Sequence, residues 1–96
     1  MVQYRIEIVR AVRDILTHLP PELKHRVKTA LRSLAADPYQ AKELQEELAG
    51  LRSYRVGRTR LIFRVTGFVI EIVAFGPRST IYERAAAELS LKLKKK

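Results

Sequence analysis

The run Phe68-Val69-Ile70-Glu71-Ile72-Val73-Ala74-Phe75 is apolar at every position except Glu71. Bounded by Gly67 on one side and Gly76-Pro77 on the other, it has the length of a strand, and a strand apolar on both sides belongs in the middle of a sheet with both faces covered. Glu71 is expected to pair with an arginine of the neighbouring strand. That neighbour precedes it: Leu61, Phe63 and Val65 alternate with Arg60, Ile62 and Arg64, and Thr66-Gly67 forms the tight turn between the two, with Gly67 supplying a positive φ.

The first half of the chain supplies a cover. Val2 to Ile8 alternates Tyr4, Ile6 and Ile8 with Gln3, Arg5 and Glu7, which predicts a first strand with one buried face. Val9 to Leu19 then places Val12, Ile15, Leu16 and Leu19 at helical spacing. Pro20-Pro21 stops this helix, because a residue before proline is pushed out of the helical region, and Pro21 opens the next one. Leu23, Val27, Ala30, Leu31 and Leu34 continue the stripe as far as Asp37-Pro38, so the two helices form a hairpin with one face on the sheet. Tyr39 to Gly50 reads as a mixed connection, with helix-favouring residues in a segment whose length and Gly50 suit a loop. Tyr82 to Leu93 predicts a final helix with a thin apolar stripe of Ala85, Ala86, Leu89 and Leu93. The order is β-α-α-β-β-β-α: an α+β fold, a small antiparallel sheet packed against an N-terminal helical hairpin, in a single domain over residues 1–96 without repeat or linker.

Charge narrows the partners. Nineteen Lys and Arg against ten Asp and Glu give a formal net charge of +9, which points to a polyanion or an acidic protein. Lys92, Lys94, Lys95 and Lys96 form a terminal tail read as solvated, with weak nonspecific attraction to RNA. The rest of the excess concentrates on Arg52, Arg55, Arg58, Arg60, Arg64 and Arg78. Cysteine is absent, which rules out a disulfide framework or a thiolate metal site. No export signal or span-length apolar segment is read from the sequence, so the expected location is cytoplasmic, away from membranes. His18 and His25 are read as surface residues of the hairpin; neither a metal nor a cofactor is expected.

Arginines and tyrosines on adjacent strands are suited to one kind of chemistry. Cutting RNA without a metal requires the 2′-hydroxyl to be aligned and deprotonated, the phosphorane to be neutralised and the leaving 5′-oxygen to be protonated. Arginine serves the middle task, binding phosphate oxygens through a planar fork that stays charged, but it is a poor proton donor or acceptor. Tyr82 is the candidate for proton transfer, since a phenol near several arginines is expected to have a lowered pKa, and it follows Arg78 by four residues on what reads as an exit loop. Tyr54 is placed to stack on a base. An arginine-rich strand face can also be plain solvated surface, and a tyrosine at a helix start can be a half-buried packing residue.

The sequence of elements, with its YRVG strand, its TRLIFRV strand, its alternating apolar strand and its G-P-R…Y exit, resembles the RelE/ParE superfamily of toxins along essentially the whole chain. The resemblance implies the toxin of a type II toxin-antitoxin system, and for a RelE-like member a ribosome-dependent endoribonuclease, an mRNA interferase that cleaves messenger RNA in the ribosomal A site and halts translation. In such members basic residues on the second strand, an arginine opening the third, an arginine after the fourth and a tyrosine just beyond do the work. Arg55, Arg60, Arg78 and Tyr82 match those places. By resemblance Arg55 orients the RNA backbone, Arg60 and Arg78 stabilise the transition-state phosphate, and Tyr82 serves in proton transfer or base stacking. Arg52, Tyr54, Arg58 and Arg64 are expected to contact RNA. The implied partners are a cognate antitoxin, messenger RNA on the ribosome, and operator DNA reached only through the antitoxin. Some members carry two lysines on the second strand where Arg55 and Gly57 stand here, so a lysine proton shuttle is missing. Two further readings share the fold: a ParE-like inhibitor of DNA gyrase, and a weakly catalytic protein working within an antitoxin-operator complex.

Overall fold

The computed structural model of the protein describes residues 3–94. Strand β1 spans Arg5–Ile8, helix α1 Arg10–Thr17 and helix α2 Pro21–Ala36. Two 3-10 turns, Pro38–Gln40 and Glu46–Leu48, flank the two-residue strand β2, Lys42–Glu43. Strands β3 (Arg52–Val56), β4 (Thr59–Thr66) and β5 (Val69–Pro77) follow, and α3 (Arg78–Lys94) begins directly where β5 ends.

The prolines act as expected. Helix α1 ends before Pro20, Pro21 is the first residue of α2, and Pro38 opens the first 3-10 turn, where Asp37 Oδ1 accepts a hydrogen bond from the Tyr39 amide at 3.1 Å. Lys24 Nζ donates to the Thr17 carbonyl at 3.0 Å, tying the start of α2 to the end of α1 and meeting a carbonyl that the helix leaves without an internal partner. Residues 39–50, the mixed connection, resolve into the two 3-10 turns and an edge strand. The two tight turns put Gly57-Arg58 and Gly67-Phe68 between paired strands, with φ of +61° at Gly57 and +59° at Gly67. A positive φ at the first central residue without one at the second, here Arg58 or Phe68, is the signature of a type II′ hairpin turn. The second turn thus lies one residue later than the sequence suggests.

The sheet has the order β1-β5-β4-β3-β2. Strands β2 to β5 are antiparallel, but β1 adds to the outside of β5 in parallel, with Ile6 opposite Ile70 and Ile8 opposite Ile72. The sheet is therefore mixed rather than wholly antiparallel. Each face carries a core. On one side Phe63, Ile70, Ile72 and Phe75 pack with Val12, Val27 and Leu34 of the helical hairpin. On the other Leu51, Ile62, Val73 and Ala74 pack with Ile81 and Ala85 of α3. A β-bulge makes this sharing possible: Ile62 pairs with Ala74 and Phe63 with Ile72, leaving Val73 extra. Val73 and Ala74 thereby face α3 together, and Phe75 returns to the hairpin side.

Helix α3 departs from its expected limits. It starts four residues before Tyr82, so Arg78 to Tyr82 form its first turn and not a loop. Ile81 and Ala85 carry its buried face, both fully buried, while Ala86 is exposed. The side chains of Leu89 and Leu93, the lysine tail and Val2 lie outside the described residues. Among the described residues no helix is long and apolar enough to cross a membrane.

Candidate functional site

The β3–β4 hairpin and the start of α3 bring four of the predicted arginines together. Arg55 on β3 is directly opposite Arg60 on β4, and Arg60 is in turn opposite Gly76 on β5. Cross-strand partners share a face, here the face that α3 covers. Arg58 from the turn and Arg78 from the first residue of α3 close the group around a recess of about 130 Å³, completed by Gly57 and Thr59. No carboxylate lines it. The Arg5–Glu7 and Arg64–Glu71 ion pairs do not involve this group.

Two like charges directly across a ladder are unfavourable by a few tenths to about 1 kcal/mol. The arrangement holds because each side chain is tethered. Arg60 Nη1 donates to Ser53 Oγ at 3.2 Å, and Arg55 Nε donates to the Gly57 carbonyl at 3.0 Å. Ser53 is buried, on the same face two residues before Arg55. Helix α3 starts beside the recess and adds the positive end of its dipole. Opposite Arg60, Gly76 has no side chain, and the Arg84 guanidinium occupies that space: a Cβ at Gly76 would stand 3.0 Å from Arg84 Nη1. The recess can therefore hold a multiply charged anion between guanidinium forks, and it offers no group of its own that readily gives up a proton.

The other predicted residues lie elsewhere. Tyr82 is one turn beyond Arg78 on α3, half-buried against the second core cluster together with Leu44 and Leu48, and it does not line the recess. Arg64 is on the recess face, but farther along β4, where it pairs with Glu71 at 2.9 Å. This is the partner expected for Glu71, and it occupies Arg64. Arg52 and Tyr54 face the opposite side of the sheet. The alternation of β3 dictates this, since residues at even positions cannot share a face with Arg55. Arg52 donates to the Ala41 carbonyl at 3.0 Å and rests 4.9 Å over the Tyr39 ring, while Tyr54 packs on the hairpin-side core. The histidines lie on the surface as read: both are exposed, and His18 Nδ1 donates to the Asp14 carbonyl at 2.8 Å. No cluster of His, Cys, Asp or Glu that could hold a metal occurs among the described residues.

Two arginines escape a reading of the sequence. Arg84 follows Tyr82 by two residues, and the signal for it was the glycine at position 76. Arg26 on α2 reaches the β3–β4 turn, where its Nη1 lies 3.2 Å from the place of a Cβ at Gly57. Nothing in the local pattern of α2 marks it.

A family model described as the ParE toxin of the type II toxin-antitoxin system parDE matches residues 2–82. No curated protein matches the chain. Among solved structures, the RelBE2 toxin-antitoxin complex from Mycobacterium tuberculosis is 31% identical with a TM-score of 0.72, covering 80% of this chain and 100% of that one. The archaeal RelE-RelB complex from Pyrococcus horikoshii is 27% identical with a TM-score of 0.69, covering 81% and 97%. The fold is also that of a free double mutant of E. coli toxin RelE, with 16% identity and a TM-score of 0.74 over 88% and 96%.

Proposed function

Given that the chain belongs to the ParE toxin family of type II toxin-antitoxin systems, within the RelE/ParE superfamily, we propose that it is a ribosome-dependent endoribonuclease that cuts messenger RNA in the A site. The observation that carries this reading is the Arg55–Arg60 pair, two cations set opposite each other with Arg58 and Arg78 around them and no carboxylate among them. A site that concentrates charge at some cost to folding is relieved when a phosphate enters. The charge that develops on a phosphorane is greater than that on the substrate diester, so the same forks bind the transition state more strongly than the ground state.

In this reading Arg55 orients the RNA backbone, and Arg60 and Arg78 stabilise the phosphorane formed when the 2′-oxygen attacks the scissile phosphate. The products are a 2′,3′-cyclic phosphate and a 5′-hydroxyl. Tyr82 takes part in proton transfer or stacks on a base, and its place outside the recess requires the substrate to extend along α3. Arg58 adds positive charge from the turn. With Arg55 and Gly57 where lysines stand in some relatives, the proton shuttle falls to Tyr82 or to the ribosome itself. A cognate antitoxin is the protein partner, in keeping with the RelBE complexes among the solved relatives, and it covers the basic face and carries the pair to operator DNA.

Toeprinting on programmed ribosomes tests this, with the wild-type protein beside an Arg60→Ala, Arg78→Ala double variant. Cuts in the A site that vanish in the double variant are expected. Their absence with folded wild-type protein overturns the reading. A second reading, inhibition of DNA gyrase, is favoured by the description of the matched family as the ParE toxin of parDE. A supercoiling assay separates the two.

A further inference from the structure

A second cleft lies on the other side of β3. It has a volume of about 350 Å³, and among its lining residues are His25, Arg26, Ser33, Tyr54, Arg55 and Gly57. The size is within the range of small-molecule sites, roughly 300–1,000 Å³. No acidic residue lines it. Arg55 and Gly57 line both this cleft and the arginine recess, so the two lie on either side of the end of the β3–β4 hairpin.

The cleft combines the guanidinium group of Arg26 with an aromatic ring held in place, while the Arg55 guanidinium is tethered to the Gly57 carbonyl at the hairpin end. Arg26 extends from α2 to within 3.2 Å of a Cβ position at Gly57, a close approach that glycine permits. Neither Arg26 nor Arg55 is paired with a carboxylate among the described residues. Tyr54 is half-buried against the hairpin-side core, so its ring is already ordered and stacking costs little further entropy. Cationic forks beside a fixed aromatic ring are how proteins hold single-stranded nucleic acid, one phosphate and one base at a time. A purely anionic ligand makes no use of the ring, and an apolar peptide makes none of the arginines.

We propose that the α2–β3 cleft is a second RNA subsite, which takes the nucleotide adjoining the one at the arginine recess, with its base against Tyr54 and its phosphate on Arg26. The inference rests on RNA being the ligand of the recess, and it assigns Tyr54 and Arg26 to substrate binding on the far side of β3. Arg55, at the hairpin end, lines both sites.

The test measures binding, apart from cleavage. Fluorescence anisotropy follows a short labelled single-stranded RNA, 2′-O-methylated throughout so that it cannot be cut, with wild-type protein, Tyr54→Leu and Arg26→Gln, each shown to be folded by circular dichroism. Both variants are expected to bind at least about five-fold more weakly, the lower end of the loss for one stacked base. A 5-iodouridine in the same RNA is expected to photocross-link to Tyr54 and, with Arg26→Gln, to do so less. Binding within two-fold of wild type for both folded variants overturns the subsite, as does a loss confined to Tyr54→Leu, which reports packing alone. Ribosomal cuts with unchanged oligonucleotide binding by the variants refute the cleft and spare the ribonuclease reading. Weakened binding without any ribosomal cut does the reverse. Displacement of the RNA's effect by an acidic peptide, with no cross-link at Tyr54, overturns the RNA assignment in favour of a protein partner.

Discussion

Arg60 donates from Nη1 to the Oγ of buried Ser53 at 3.2 Å, across one step of the β3–β4 ladder. Ser53 is opposite Ile62 while Arg60 is opposite Arg55, so the bond runs diagonally on the recess face and turns the guanidinium of Arg60 away from its cross-strand neighbour. A serine with no catalytic chemistry thus fixes the direction of the arginine assigned to the phosphorane. Ser53→Ala is expected to cost about 0.5–1.5 kcal/mol of stability, the usual net worth of one hydrogen bond. The larger effect is on rate: a loosened fork is expected to lower kcat about ten-fold with little change in KM, because in the proposed reaction Arg60 acts in the transition state. Single-turnover cleavage on programmed ribosomes, paired with urea denaturation, checks both. A fall in KM-dependent binding alone refutes the positioning role.

The Arg64–Glu71 pair directly joins β4 to β5, and both side chains are partly exposed, at 37% and 19%. An arginine engaged in this way is a structural cross-strand contact rather than a free hand for RNA. Arg64→Leu is expected to lower stability by roughly 0.2–1 kcal/mol, the range for cross-strand pairs. Its cleavage rate is expected to stay within about two-fold of wild type, whereas Arg60→Ala is expected to lose the proposed activity. Parallel denaturation and cleavage measurements on the two variants decide it.

Much of the architecture was legible because a few residues dictate it. Pro20-Pro21 and Asp37-Pro38 set the helix limits by steric exclusion, and the apolar run Phe68–Phe75 demanded two covered faces, which the structure supplies with the hairpin and α3. The parallel partner of β1 was not legible, since alternation reports which face is buried and not which strand is alongside. The bulge at Val73 was hidden for the same reason: in a strand apolar at nearly every position a change of phase leaves no mark. Gly76-Pro77 looked like the entry to a loop, yet proline is well tolerated just before a helix, and α3 starts at once. At the candidate site the arginines of β3, the turn and β4 were found by type and spacing. Strict parity along β3 already separates Arg52 and Tyr54 from Arg55, whereas Arg26 depends on how α2 lies over the hairpin, which no local pattern encodes.

Tyr4 has its phenol held in the protonated form by its surroundings. Its half-buried place against the hairpin-side core, then the neighbouring Tyr39 and finally Asp37, raise its pKa above the usual tyrosine value. The folded state therefore holds this proton more tightly than the unfolded chain. The resulting stabilisation is fully present below the unfolded pKa, near about 10, and is lost as pH rises through the folded one. Spectrophotometric titration is expected to show a tyrosine ionising above the usual tyrosine range, and Tyr4→Phe is expected to remove that step. In the same variant, the decline of stability above about pH 10 becomes shallower. An unchanged late step assigns it to another tyrosine.

Tyr82 is the residue whose role the geometry leaves most exposed to experiment. It is one helical turn from Arg78 and is packed against the second core cluster beside Leu44 and Leu48, so its ring has a structural duty whatever its hydroxyl does. Tyr82→Phe keeps the packing and removes only the oxygen. If the phenol moves a proton, this variant melts like wild type and cleaves about 10²-fold more slowly, the lower end of the range for general acid-base catalysis. Tyr82→Leu removes the aromatic face as well and serves as the contrast: a base-stacking role predicts near-normal rates for Tyr82→Phe and a clear loss only for Tyr82→Leu. Because the recess itself holds only arginines as ionisable groups, and these keep their protons throughout the working range, we expect the first pattern. Single-turnover rates on programmed ribosomes supply the comparison, and a Tyr82→Phe rate equal to wild type transfers the proton-transfer step to the ribosome.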